Sequence, residues 1–269
     1  MAPPEILTYR ADGTDPIPIQ QEFTYALAIS GPQGLTTQLL AANPALSVQQ
    51  LRASRKGRRM IAAAPGGSRV EVQIAGAHVE ARTRDKTVRF DFDQSTVIAD
   101  LAQDPIRQFA WGFSMGGQKY LLGKKGQYRL ENNNDDGQAE PMAVILNVPV
   151  GLPDHEVHEG DEWTSEWTGL PRKKDGATVR FRQTARLADV AAGQTPRARI
   201  TFTTSGTLNV PADKNIQGEE MTLAGKGSIL LDLQSGLVVA SDSSGTITTD
   251  IKKAGIQIVH TLTSKTDTP

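Results

Sequence analysis

The recurrence of short segments in which apolar and polar residues alternate constrains the fold more than any other feature of the chain. In residues 179–187, the odd positions carry Val, Phe, Gln, Ala and Leu, whereas the even positions carry Arg, Arg, Thr and Arg. A period of two places one set of side chains on a buried face and the other in water, as in antiparallel strands. The same pattern predicts further strands in the second half of the chain, at residues 142–150, 162–168, 198–208, 221–232, 237–243, 246–251 and 256–263.

The first half also carries strand patterns. Residues 22–30 place four apolar side chains on one face, residues 70–92 predict a three-stranded meander, and residues 120–130 predict a hairpin. These strand patterns predict a mainly β protein, and we expect its sheet to curve because strand twist accumulates across it. The predicted architecture is a curved antiparallel meander, either a half-barrel or an open barrel, with one to three short helices.

Two segments depart from the period of two and predict helices. Asp104 can cap a helix that starts at Pro105, with Ile106, Phe109 and Phe113 on one apolar face, and Gly116 can end it. Residues 35–64 are predicted to form a helical insertion, because Ser47 and Gln50 have the spacing of a capping box for a helix that begins near Val48. Gly57 is unfavourable in that helix.

The polar tract at residues 132–137 predicts a loop and a boundary between two halves. Residues 1–137 would form an N-terminal half that contains the helical insertion, and residues 138–269 a C-terminal antiparallel meander. The alternative is one continuous domain.

Composition excludes several functional classes. The chain has 29 basic and 30 acidic residues, so no overall positive charge attracts nucleic acid, and it has no cysteine for disulfides, thiolate metal sites or thiol catalysis. Its longest apolar stretch, residues 142–150, is far shorter than the roughly 20 residues that span a bilayer. We therefore predict no transmembrane segment, no cofactor and no nucleic-acid partner.

Two motifs suggest chemistry, but each lacks the context that the chemistry needs. The run His155-Glu156-Val157-His158-Glu159 does not have the zinc-protease order and has no helical context, so we interpret it as a structural loop and predict no metal site. Residues 112–116 spell Gly-x-Ser-x-Gly, but a nucleophile elbow needs a strand before it, and here a helix is predicted. We predict no catalytic residues and no enzymatic activity; an unrecognised hydrolase is the lowest-ranked alternative.

The most suggestive stretch is basic and apolar at once. Arg52, Arg55, Arg58 and Arg59 lie within eight residues, and such a segment can border a lipid-binding groove or form an ordinary solvated helix face. We predict that these arginines bind a ligand together with the apolar face of the second helix, which makes the candidate site Arg52, Arg55, Arg58, Arg59, Ile106, Phe109 and Phe113.

A further set of motifs resembles a known family. These are Gly151-Leu152-Pro153, Gly160-Asp161 followed by Trp163, and Leu231-Asp232 followed by Ser235-Gly236-Leu237. The chain resembles, over residues 65–260, an uncharacterised family of exported and often lipid-anchored bacterial β proteins. The resemblance implies an extracytoplasmic location, in the periplasm or at the cell surface, and a sheet similar to the half-barrels of bacterial lipoprotein carriers. It implies no known activity.

Two functions follow as hypotheses. The first is a non-catalytic cell-envelope protein that binds an apolar small molecule or lipid on a concave β face. The second is a structural or interaction module of the cell surface, with an envelope protein as its partner.

Overall fold

The protein forms a single large antiparallel sheet with two helices. A computed structural model describes residues 5–9, 14–96, 101, 103–130, 150–169, 178–210 and 219–268. The helices are α1 (Gln33–Ala42) and α2 (Pro105–Met115), and a 3-10 turn spans Pro44–Ser47. The strands are β1 (Thr14–Ser30), β2 (Gln50–Ala64), β3 (Gly67–Arg82), β4 (Thr87–Asp93), β5 (Gln118–Gly123), β6 (Tyr128–Leu130), β7 (Glu162–Gly169), β8 (Thr178–Ala191), β9 (Arg197–Val210), β10 (Glu219–Asp232), β11 (Val238–Ile251) and β12 (Ile256–Asp267).

The strand order is β6-β5-β3-β2-β1-β12-β11-β10-β9-β8-β7, and β4 pairs with β3 beside β5. Neighbours in this order are mostly consecutive along the chain, which makes the sheet a meander. The exceptions are the pairing of β3 with β5 and the long-range pairing of β1 with β12, which runs from Gln20 opposite Asp267 to Ser30 opposite Gln257. The mainly β meander predicted from the sequence is therefore confirmed.

The sheet curves enough to bring its two ends together without pairing β6 to β7 among the described residues. The segment 5–9 lies between these ends: Tyr9 N–H donates to the carbonyl of Lys124 in the β5–β6 turn, and Glu5 forms a bridge with Val157, ahead of β7. Leu122 of β5 packs on the same apolar cluster as Trp163 of β7. The described architecture is thus a strongly curved sheet that is not closed.

Alternation along the strands separates two faces. The face that we call the core face carries the buried side chains, and we call the opposite face the outer face. One apolar cluster of the core face surrounds Trp163, Leu187 and Ile200, and another gathers Phe23, Leu51 and Val79 beneath α2.

The predicted helix that begins near Val48 is wrong. Residues 50–64 form β2, which pairs with β1 on one side and β3 on the other, and a helix occurs earlier, at Gln33–Ala42. The capping box is a local signal, whereas hydrogen bonds to two neighbouring strands outweigh the modest helix propensity of this segment. The sequence does carry a signal for the strand: Pro65-Gly66, with φ of +80° at Gly66, makes the tight turn between β2 and β3.

Two predictions of separate strands are also wrong. Residues 70–92 hold two strands, β3 and β4, and not the predicted three, because the register shifts by one residue near Ala75 and β3 continues through this bulge. The two strands predicted at residues 237–243 and 246–251 are one strand, β11. The predicted helix at residues 105–115 and the hairpin of β5 and β6 are confirmed. The proposed boundary at residues 132–137, and residues 142–149 of a predicted strand, lie outside the described residues.

Gly57 lies where the bulge of β3 brings two backbones unusually close. A Cβ atom at this position would be 2.2 Å from the carbonyl oxygen of Gln73. We expect Gly57→Ala to lower the free energy of unfolding by about 1–3 kcal/mol, since two strands must move apart.

The matched control is Gly34→Ala on the exposed helix α1, where an added Cβ would have no neighbour within 4 Å. Alanine favours the helix, so this change should raise the free energy of unfolding, by up to about 1 kcal/mol. Urea denaturation measures both effects, and equal stability of the two variants would contradict the close approach.

Candidate functional site

Helix α2 lies over one end of the core face and positions the apolar part of the candidate site. Its first turn is fixed by Asp104, whose Oδ1 accepts hydrogen bonds from the backbone N–H groups of Ile106 and Arg107 at 3.0 and 3.1 Å. The helix packs on β2, β3 and β4. Five of its apolar side chains are only partly buried against the cluster below: Ile106, Phe109, Trp111, Phe113 and Met115.

Aromatic rings join α2 to β1. The ring centroids of Phe113 and Phe23 lie 4.9 Å apart in an edge-to-face arrangement, and Tyr25 lies 5.5 Å from Phe109 and 5.6 Å from Phe113. These distances are those of favourable aromatic pairs. The predicted apolar residues of the site, Phe109 and Phe113, therefore meet two core-face residues of β1 that the sequence placed on an apolar strand face but did not assign to a site.

Arg55 is the one predicted arginine that reaches this aromatic group. Its guanidinium carbon lies 5.1 Å from the ring centroid of Phe23, its Nε donates to Gln21 at 2.7 Å, and its Nη1 donates to the carbonyls of Ser114 and Gly116 at the end of α2. Burial lowers the pKa of Arg55 to about 10, so the side chain stays charged at neutral pH. A buried cation thus adjoins the C-terminal end of α2, where unpaired carbonyls favour positive charge.

The other three predicted arginines do not join Arg55. Arg52 and Arg58 point to the outer face, where Arg58 donates to Gln73 at 3.0 Å. Arg59 lies on the core face, donates to the carbonyl of Val238 at 3.0 Å and has a buried Nε without an acceptor. The prediction of one basic amphipathic helix face is wrong, because a strand sends neighbouring side chains to opposite faces.

Short side chains continue across the sheet from Phe23. Ser264 pairs with Phe23 in register, Ser243 pairs with Ser264, and Gly227 follows on β10. Phe202 fills the space above that glycine, since a Cβ atom there would lie 2.8 Å from its ring. The core face between Phe23 and Phe202 is therefore lined by short side chains, of which Ser243 and Ser264 are buried.

His260 belongs to the same neighbourhood, although it is not among the site residues predicted from the sequence. Its Nδ1 lies 3.1 Å from the Tyr25 hydroxyl, and its ring centroid lies 5.9 Å from that of Tyr25. Burial lowers the pKa of His260. The sequence signal that identifies His260 as a core-face residue is alternation along β12, since position 260 has the same parity as the buried Ile258 and Leu262.

The outer face carries a depression of about 530 Å³ across β3, β2, β1, β12 and β11. Its lining is polar and charged, and includes Glu22, Arg52, Glu80, Asp242 and Lys265. Such a lining does not suit an apolar ligand, which separates this depression from the apolar site beneath α2.

The two discounted motifs have ordinary structural roles. Ser114 is fully buried near the end of α2, and its hydroxyl donates to the carbonyl of Ala110 at 2.7 Å, which is not the geometry of a nucleophile elbow. In the HEVHE run, Val157 pairs with Glu5, while the Glu159 carboxylate accepts from the backbone of Val190 at 2.8 Å. The described residues include no group of three or more histidine and acidic side chains that could hold a metal ion.

None of the described helices is long and apolar enough to cross a membrane. No protein-family model matches the chain, and a comparison with curated proteins finds no match either. The family resemblance drawn from the sequence motifs therefore stays a prediction.

The pKa of His260 predicts how acid affects stability. A histidine whose pKa is lowered by folding takes up its proton more readily in the unfolded chain, so its stabilising contribution is lost as the pH falls below the ordinary value of about 6.5. We expect His260→Gln to reduce the loss of unfolding free energy between about pH 7 and about pH 5. Thr261→Gln, at the next position on the outer face, is the control, and a pH profile of His260→Gln that matches it would contradict this role.

Proposed function

We propose that this protein is a non-catalytic binder of an apolar ligand, such as a lipid or acyl chain, in the space between α2 and the core face. The observation that carries the proposal is that α2 presents five apolar side chains to the sheet and leaves each of them only partly buried. Apolar surface that internal packing leaves partly exposed is typical of ligand-binding sites.

The sheet offers surface on which a chain can lie. Phe23 and Tyr25 lie beneath α2, and the short side chains of Ser264 and Ser243 follow Phe23 across the core face. The polar groups beside these rings include Arg55 with Gln21, and His260 with the Tyr25 hydroxyl. An apolar chain that covers Phe109 and Phe113 would gain roughly 25 cal/mol for each Å² of apolar surface removed from water.

We also propose an extracytoplasmic location, which the sequence resemblance supports. The motifs on which the resemblance rests have structural roles. Gly160 turns the chain with φ of +96°, and the buried Trp163 donates a hydrogen bond to the carbonyl of Gly151 at 2.6 Å. Fractionation of the natural host with an antibody against this chain should find it in the envelope or periplasm; recovery with cytosolic marker proteins would contradict the location.

Binding can be followed directly, because Trp111 is half-buried on α2. Native mass spectrometry of protein purified without detergent should show copurified lipid. After delipidation, uptake of a neutral apolar dye should saturate and shift the emission of Trp111 to shorter wavelength, and Trp111→Phe should abolish that shift. Absence of both lipid and dye uptake would contradict the proposal, and concentration-dependent assembly in light scattering would instead favour the interaction module.

Substitution of the helix face tests where the ligand lies. Ile106→Gln removes one apolar contact of the site, and we expect it to weaken dye binding about tenfold. The matched control is Leu35→Gln, which changes an apolar residue on the exposed helix α1. Equal dye affinities of the two variants, at unchanged unfolding temperature, would place the ligand elsewhere.

A further inference from the structure

The charged residues of the core face are of one sign. Among the strand positions whose core-facing side chains the structure describes, Arg55 and Arg59 are the permanently charged residues, and no aspartate or glutamate occurs. The buried Asp232 at the end of β10 has the opposite parity to the core-face Leu231 and pairs in register with the exposed Arg197. On the outer face, by contrast, arginines pair with carboxylates, as in Arg89 with Glu80 at 2.9 Å and Arg199 with Asp189 at 3.1 Å. Burying a charged group costs free energy when no opposite charge pairs with it. The outer-face arginines Arg89 and Arg199 have carboxylate partners, whereas the core-face arginines have none among the described residues.

Arg55 has donor capacity left. Its Nε and Nη1 are used by Gln21 and by the carbonyls at the end of α2, whereas its Nη2 has no hydrogen-bond partner among the described residues. The residue keeps 9% of its surface exposed. An entering group can therefore reach a nitrogen of a guanidinium that three hydrogen bonds already hold in place.

The cation lies at the end of a continuous apolar path. From Arg55, the path leads over the ring of Phe23 to Phe113 at 4.9 Å and then along α2 to Phe109. At 1.5 Å per residue, the helix face between Phe113 and Ile106 is about 10 Å long. A chain on this face with its head toward the C-terminal end of α2 would bring that head to Arg55.

We infer that the ligand is an anionic amphiphile whose carboxylate or phosphate head binds Arg55 while its apolar chain lies along α2. The inference rests on the proposed function. Both heads accept hydrogen bonds from a guanidinium, and such charge-assisted bonds are roughly twice as strong as neutral ones. Arg59 is the next charged core-face residue along β2, and its positive charge favours the same sign of ligand.

Four probes with one chain length separate the head from the chain. Dodecanoate and dodecyl phosphate carry the anion, while dodecanol and methyl dodecanoate have the same chain without it. We expect the purified protein to bind either anion about tenfold to a hundredfold more tightly than the neutral probes, measured by displacement of the apolar dye. The relative affinities of dodecanoate and dodecyl phosphate show which head fits.

The variants assign the preference to one residue. Arg55→Gln should bring the anionic probes down to the affinity of dodecanol, and Arg55→Lys should retain part of the preference. Arg52→Gln is the matched control, since Arg52 lies on the same strand but on the outer face, and it should leave the preference unchanged.

Each outcome is decisive. Equal affinities for anionic and neutral probes overturn the inference and leave the proposed function intact, whereas failure of all four probes overturns both. A preference that persists in Arg55→Gln overturns the assignment to Arg55. Should Arg55→Gln fail to fold, the comparison of the four probes on the unmodified protein still tests the inference.

Discussion

The pairing of β1 with β12 holds the whole sheet together. Without it, β1–β6 and β7–β12 would be two separate groups of strands, because every other strand pair joins strands on one side of that boundary. It joins residues almost a full chain length apart, so its contacts form only after a large loss of chain entropy. The aromatic site depends on it directly, since β1 carries Phe23 and Tyr25 while β12 carries His260 and Ser264.

Strand parity then decides which side chains can act together. Arg52 and Arg55 are three positions apart in β2 and consequently face opposite sides of the sheet. On a helix the same spacing would have placed them on one face. The physical consequence is that a cluster of positive charge in the sequence is divided between the two faces: Arg52 borders a polar depression on the outer face, whereas Arg55 is buried beside the aromatic rings.

The parts of the fold that local physics determines were predictable from the sequence. Helix α2 carries its cap, its Pro at the first turn and its apolar stripe within twelve residues, and the structure has the helix at that position. Strand β2 was not predictable in this way, because its conformation depends on hydrogen bonds to β1 and β3, whereas Ser47 and Gln50 imitate a helix start. For the same reason the sequence identified Phe109 and Phe113 but could not join them to Phe23, Tyr25 or His260, which come together only through sheet register.

The C-terminal end of α2 needs a hydrogen-bond donor, but it does not need the positive charge of Arg55. The carbonyls of Ser114 and Gly116 need a hydrogen-bond donor, and a neutral amide could supply one at a much smaller cost of desolvation. The ring of Phe23 and the end of the helix dipole offset part of the cost of the charge, but neither neutralises it. An anion would pair with the guanidinium charge and would accept a hydrogen bond from Nη2, the nitrogen of Arg55 that has no partner among the described residues. The positive charge on the core face is thus the feature that packing alone leaves without an explanation and that a ligand of opposite charge accounts for.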